Sequence, residues 1–446
     1  MYTVQIYTMP AIADLYGLPQ DRESAISAGN NWRVCAFILL LFVLAATLSA
    51  MRKDVTRGFD EVAHASYIAH LQHTGDTWPA LNEMRMLDPS SFRFTGEKNY
   101  LNHPSLYYAL LARLGPNLEG HPGAIIVYRL FNVVFAAIGL TAFMAIGLIA
   151  RLPRLSLYAY IIPLACIPVL APIAGSINND NIAFAGGGIA TLAALQLLTK
   201  DGRASLMAAL GGVIVASWAK FTALLLVGGM MSGVLAWLLW HRRLQPRSIV
   251  LIAIAALLAI SPYVVLFAQY GSPTPNTVGQ IAMVTTGAHA VGWDSAERMS
   301  LAAYVVHFVS VFIIEWMPTL EPRNALNYTA LLIPVAAALC AFLGLVMSAH
   351  RIARGNATPI DIVVVASGLA FTTTFVIHVA FSYERHVVYG WMLDAYPRYY
   401  LPLASFFPLA GLSLLAAIKC PRVRAILAGF LIASPVIFRL LGAPLR

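Results

Sequence analysis

Two adjacent carboxylates, Asp60 and Glu61, stand in FDEVAH just past the first long apolar run of the chain. A carboxylate held near the headgroup level of a bilayer is partly desolvated; its proton affinity rises and it becomes a usable general base. Adjacent residues do not share a helix face, so the pair is expected to split, one acid toward a site and one toward a structural partner. The competing reading is an ordinary helix start, with Asp60 capping and both acids favoured by the helix dipole. His64 follows Glu61 at a spacing that can put two ligands on one helix face. No third ligand is in register, so hydrogen bonding at the loop–membrane boundary is the simpler role for His64.

Cations come next, as groups that could meet an anion at the same level. Lys220 in WAKFTALLL sits at a very tight turn between apolar runs, where it can snorkel to the surface or hold a lipid phosphate. Arg398 opens PRYYLPL beside Tyr399, with Arg385 and Asp394 just before it; an arginine there is an interfacial anchor or a bidentate phosphate ligand. Arg129 in YRLFN lies inside an apolar run, at a depth where a guanidinium needs a carboxylate, a phosphate or carbonyls; Asp60 and Glu61 share its level, so a structural ion pair is expected, with ligand binding as the alternative. The stretch NHPSLYY begins an interfacial helix and offers His103 and Tyr107, with Glu97 and Lys98 nearby. The SINNDN turn presents Asn179 and Asp180, either to close the turn or to meet a hydroxyl-rich ligand.

What must position these groups is a membrane. Of 446 residues, 59% are apolar and only 11% charged, about half the charged share of a soluble domain. Mean hydropathy is +0.73. Apolar runs of about 17 to 25 residues recur, the length a helix needs to cross a ~30 Å hydrocarbon slab. Soluble enzymes, disordered chains and nucleic-acid binders are excluded, and the fold class is an all-α polytopic membrane protein. Eleven spans are expected at 34–51, 124–150, 155–173, 182–198, 204–218, 221–240, 248–268, 326–349, 360–381, 398–418 and 424–441. Connections carrying Arg151 and Arg154, Lys200 and Arg203, Arg242, Arg243 and Arg247, Arg351 and Arg354, and Lys419, Arg422 and Arg424 hold only Asp201 and Asp361 against them. The positive-inside rule puts all of these in the cytoplasm, which requires 301–317, with His307 and Glu315, to be an interfacial or re-entrant helix on the outer side that does not cross. The long connection 52–123 then faces outward and, partly helical and aromatic-rich, is where chemistry belongs. This divides the chain into a cytoplasmic segment 1–33, a catalytic module 34–268 and a C-terminal membrane region 269–446. No removable signal peptide is read, and the span from Val34 serves as an anchor. Cys35, Cys166, Cys340 and Cys420 show no metal or redox spacing and read as packing residues.

In order and topology, these pieces resemble the GT-C superfamily of membrane glycosyltransferases, in the branch of protein mannosyltransferases and aminoarabinose transferases. The likeness runs over about 60 to 403: Asp-Glu-x-x-His after the first span, a long first outer loop, and His-Pro-x-Leu-Tyr-Tyr before the second span. Arg-Leu then opens that span, a lysine stands at the turn in WAKFT, and Arg-Tyr-x-x-Pro closes the series. HPS stands where many relatives have HPP. The resemblance implies a polyprenyl-phosphate-linked sugar donor, a glycan, lipid or protein acceptor, and inverting transfer at the periplasmic face of the inner membrane, in building a cell-envelope glycan. Membrane lipids are partners and nucleic acid is not; a divalent metal is optional, without a ligand set here. It implies Asp60 or Glu61 as base, the other held by Arg129, with Lys220, Arg398, Arg385 and Lys98 as candidates to hold the phosphate. One base fits inversion, since retention needs a second carboxylate as nucleophile. A transporter or lipid flippase is the alternative; against it stand the absence of an internal repeat and the length of the first outer loop.

Overall fold

The computed structural model describes residues 22–200, 202–285, 298–314, 332–390 and 396–442. Expectations for Glu315, Asp394 and the first residues of the 326–349 run lie outside them. Among the described residues, eight helices are long and apolar enough to cross a membrane. Two that matter to the site are α1 (Arg22–Arg52) and α4 (Ile125–Ile149), and α7 (Asp180–Thr199) packs against both α4 and α8 (Arg203–Ala219). The chain is a multi-pass membrane protein.

Two expected spans differ in form. The run 155–173 is broken into α5 (Arg154–Ala165) and α6 (Leu170–Ala174). Pro168 lies in the break and offers no N–H to continue the helix ladder. The run 398–418 is bent by 63° between a 3-10 segment, Pro397–Leu403, and the helix Phe406–Ala417. The described part of 301–317 is a helix, Leu301–Ile314.

Close approach around α7 comes from three successive glycines, which point about 100° apart and so meet three different neighbours. A methyl at Gly186 would lie 2.7 Å from Gly212 O in α8, and one at Gly188 would lie 2.6 Å from Gly139 O in α4. At Gly187 it would collide with the Pro402 backbone, so this glycine seats the 3-10 segment that carries Arg398 and Tyr399. Such small-residue contacts replace the hydrophobic drive that helices lack inside lipid.

The 52–123 connection folds over one end of the bundle. It contains α2 (Glu61–Thr74), an antiparallel pair β1 (Arg85–Leu87) and β2 (Phe94–Lys98), and α3 (Leu106–Leu114). Tyr67 of α2 stacks on Tyr108 of α3 with ring centroids 3.9 Å apart, and Asn99 Nδ2 donates to Ala63 O at 2.9 Å. Leu81 N donates to the Tyr270 hydroxyl at 2.9 Å, tying this layer to the end of α10 (Pro246–Tyr270); the composite helix Phe221–Trp240 is α9. Pro262 inside α10 frees the Leu258 carbonyl, and Trp218 Nε1 takes it at 2.6 Å. That bond fixes the end of α8 that delivers Lys220.

Candidate active site

Asp60 and Glu61 separate at the first step of α2. Asp60 precedes the helix with φ 60° and ψ 22°, a left-handed conformation that an Asp tolerates better than most residues, and its side chain makes no cap hydrogen bond. The turn aims its carboxylate away from α2 toward the 3-10 segment, where Arg398 Nη2 donates to Oδ2 at 2.6 Å. Tyr100, from the strand end after β2, donates its hydroxyl to Oδ1 at 3.1 Å. The Asp60 side chain keeps 38% of its surface exposed.

Glu61 is fully buried. Arg129 Nε donates to Oε1 at 2.8 Å, Arg129 Nη2 to Oε2 at 2.7 Å, and Ile177 N to Oε1 at 2.9 Å. The remaining face of Arg129 donates to Ala50 O and Lys53 O, both at 2.8 Å. Every lobe of this ion pair is occupied by protein, and it bolts α2 to α1, α4 and the SINNDN turn. Gly58 leaves room for it, since a methyl there would stand 2.5 Å from Glu61 Oε2.

A second pair stands on the other side of Arg398. Lys220, at the break between α8 and α9, donates from Nζ to Asp180 Oδ1 at 3.0 Å and lies 3.5 Å from the Tyr399 ring centroid. Arg398 Nε approaches Asp180 Oδ2 at 3.9 Å. Both of those atoms are buried without a hydrogen bond, an expensive condition in a low-dielectric site. The guanidinium is flanked by the rings of Phe59, Tyr396 and Tyr399 at 5.3, 4.7 and 5.5 Å. Just past Lys220, Leu224–Gly228 is wound as a π-helix, an irregularity that often accompanies functional sites. Asp60, Arg398, Asp180 and Lys220 thus form one alternating row of charges bordered by aromatic faces.

The SINNDN turn serves as a hub. Asn178 Nδ2 donates to Phe59 O at 3.0 Å, Asn179 Nδ2 to Ala219 O at 2.7 Å, and Asn181 Nδ2 to Asn132 Oδ1 at 3.0 Å. It thereby fixes the residues next to Asp60 and Lys220 in one frame. Tyr107 is part of the same scaffold through its 2.8 Å bond to Asn132 Oδ1.

His64 lies between Tyr108 and His103, with Nδ1 2.9 Å from the Tyr108 hydroxyl and its ring stacked 6.2 Å from that of His103. Burial lowers the proton affinity of His64 to about 3 despite the nearby Asp60, and it lowers that of His103 well below the usual value. Both imidazoles are neutral at physiological pH. Burial raises the proton affinity of Asp60, as expected from its level, but Arg398, His64 and Tyr100 outweigh it and hold the carboxyl at about 2. For Lys220 burial is the larger effect; Asp180 restores only part of the loss, leaving about 8.

Two expected phosphate ligands form no hydrogen bond or ion pair with the row, although the charge of Arg385 acts on Tyr399, whose ring covers Lys220. Lys98 is exposed at the end of β2, backbone-paired to Arg85, and touches none of the charge row. Arg385 is half-buried near the end of α14 (Pro359–Tyr389) and forms no hydrogen bond or ion pair with another described residue. Tyr100, Tyr396 and Phe59 were not singled out by sequence; their signal was an aromatic next to a charge-bearing motif. Among the described residues no three His, Cys, Asp or Glu side chains converge as metal ligands, and His64 and Glu61 face different partners.

An apolar cavity of about 500 Å³ is lined by Phe312, Phe371, Phe375, Tyr400, Leu401 and Phe407 among others, and by none of the charge-row side chains. Tyr400 is the link: it lines the cavity, receives or gives a hydrogen bond with His378 at 3.2 Å, and follows Tyr399, whose ring covers Lys220.

No protein-family model and no curated protein matches the sequence. Among solved structures, the chain is similar to the crystal structure of ArnT from Cupriavidus metallidurans bound to undecaprenyl phosphate, at a TM-score of 0.45 and 14% identity. That alignment covers 88% of this chain and 61% of ArnT, so the chain spans less than two thirds of the length of that protein. A structure of ArnT in the apo state is similar at a TM-score of 0.35 and 14% identity, covering 79% of this chain and 78% of that one.

Proposed function

We propose that this protein is an inverting glycosyltransferase of the GT-C kind, moving a sugar from a polyprenyl-phosphate-linked donor to an acceptor hydroxyl at the outer face of the membrane. The observation that carries this reading is the charge row itself. A partly exposed carboxylate and two cations lie within one side-chain layer at the end of a membrane bundle, and Tyr400, two residues past Arg398, lines an apolar cavity suited to an isoprenoid chain.

In this reading the acceptor oxygen attacks the anomeric carbon from the side opposite the phosphate. Its proton passes to Asp60, the carbon–oxygen bond to phosphate breaks, and the electron pair leaves with the lipid phosphate. Lys220 and Arg398 stabilise that growing charge, which makes a strong general acid unnecessary. Tyr100 marks where the acceptor belongs, because its hydroxyl already donates to the Asp60 oxygen that an incoming hydroxyl would use. The aromatic faces of Phe59, Tyr396 and Tyr399 offer a sugar ring apolar contact. Glu61 and Arg129 hold the frame and take no part in the chemistry.

The test is transfer from a radiolabelled polyprenyl-phosphate sugar to endogenous acceptor in membranes containing the wild type or Asp60→Asn. Label should reach acceptor in the first and not in the second. Undiminished turnover in Asp60→Asn removes Asp60 as base, and no transfer from any such donor removes the reading.

A further inference from the structure

The pairing of Asp60 with Arg398 poses a conflict. A base poised for transfer should not be locked to a guanidinium, yet Arg398 Nη2 holds Asp60 Oδ2 at 2.6 Å. The same guanidinium leaves its Nε buried and without a hydrogen bond, facing the equally unsatisfied Oδ2 of Asp180 across 3.9 Å. A movement of about 1 Å would bring these two to charge-assisted hydrogen-bonding distance. Lys220 already occupies the other oxygen of Asp180, so this carboxylate is anchored while its second oxygen waits.

We propose that Arg398 changes partner when the lipid phosphate arrives: it leaves Asp60 for the phosphate, its Nε closes onto Asp180 Oδ2, and Asp60 becomes a base only in the donor-loaded site. Asp180 is then a positioning residue, acting through Arg398 and Lys220. This rests on the reading given under Proposed function and adds a binding order to it, donor before acceptor.

Charge balance supports the exchange. The row itself holds two carboxylates and two cations, Asp60 with Arg398 and Asp180 with Lys220. A donor phosphodiester adds one negative charge, and bond cleavage puts a second on the departing phosphate while Asp60 takes up the acceptor proton and becomes neutral. Negative charge therefore moves from Asp60 to the phosphate during the reaction, and the mobile guanidinium follows it. The other titratable groups facing Asp60 do not interfere. His64 and His103 are neutral, Tyr100 and Tyr399 keep their phenolic protons at neutral pH, and Lys220 stays on Asp180.

The experiment uses the detergent-purified full chain and carbodiimide, which couples only to protonated carboxyl groups. Labelling of the Asp60 peptide is followed by mass spectrometry against pH, with and without a polyprenyl monophosphate whose binding is measured separately. The midpoint is read because a ligand that merely shields Asp60 lowers the extent of labelling and leaves the midpoint in place. In the empty wild type the midpoint should lie below about pH 4, and with saturating polyprenyl monophosphate it should rise above about pH 5, at least a tenfold gain in proton affinity. Arg398→Gln, checked for a monodisperse folded peak, should show the raised midpoint without ligand and no further shift with it. Asp180→Asn should bind the ligand with less than half the wild-type shift. Binding with an unmoved midpoint, or an Arg398→Gln midpoint equal to that of the empty wild type, overturns this proposal alone. Failure of the polyprenyl monophosphate to bind at all overturns the functional reading as well.

Discussion

The most informative perturbation is a comparison of two neighbouring acids that the structure puts to opposite uses. Glu61→Gln keeps an acceptor oxygen for Ile177 N but removes the charge that faces Arg129, leaving a guanidinium that is 4% exposed without its carboxylate. Stripping one member from a buried ion pair costs about 3–5 kcal/mol, because the other charge stays behind without compensation. At about 1.4 kcal/mol per decade that lowers the folded-to-unfolded ratio by roughly two to nearly four orders of magnitude. Asp60→Asn should behave differently. Asparagine accepts the left-handed backbone at φ 60°, and the Asp60 carboxylate is 38% exposed, so solvent screening discounts its pairing with Arg398 to about 1 kcal/mol or less. Arg398 also keeps Asp180 and three aromatic faces around it. Thermal unfolding of the detergent-purified variants, followed by intrinsic tryptophan fluorescence, should therefore show a large drop for Glu61→Gln and a small one for Asp60→Asn. Equal drops, or a larger drop for Asp60→Asn, would refute the division into a structural and a chemical acid.

Further outcomes follow from the same geometry. Asp60→Asn should reduce sugar transfer about 10²- to 10⁴-fold, the range for removing a general base, while a polyprenyl monophosphate binds about tenfold more tightly or better, because the neutral side chain no longer competes for Arg398. Since Lys220 titrates at about 8, its ammonium is present below that pH and lost above it, so kcat/KM for donor should fall as pH rises through about 8. Lys220→Arg should move that limb out of range because a guanidinium titrates above about 12; a limb that persists in the variant belongs to another group. Gly187→Ala should cost about 1–3 kcal/mol and slow transfer by shifting the 3-10 segment away from α7. Gly211→Ala, where an added methyl meets nothing within 4 Å, should leave stability unchanged or improved. A Gly187→Ala enzyme as stable and active as the Gly211→Ala control would show that the segment is not seated on that glycine.

The helical membrane fold was legible because bilayer thickness imposes one run length on every span, and the apolar runs mark the helices, although α1 begins twelve residues before the first run and α14 continues eight residues past its own. What the runs hid were the breaks. Pro168 and Pro402 sit in sequence as apolar as their surroundings, so hydropathy reads through a loss of backbone hydrogen bonding that the helix cannot. The charged residues near the bundle end were legible as types, but not as partners. Nothing local says that Glu61 turns inward while Asp60 stays out; the left-handed turn at Asp60 and the two main-chain carbonyls waiting for Arg129 decide that. Lys98 and Tyr100 are two residues apart, and only the second reaches Asp60, because the strand end turns one toward water and the other toward the bundle.

The largest departure concerns proton affinity. Depth in the membrane argues for a carboxyl raised above its ordinary value, and burial at Asp60 does push that way. The outcome is reversed by a guanidinium 338 residues further along the chain, brought alongside by the close packing of α7 against the 3-10 segment. A base that must be weak in the empty site and strong in the loaded one cannot be described by its level in the bilayer alone. It requires a partner that can leave, and Arg398, bound on one side and unsatisfied on the other, is built to do so.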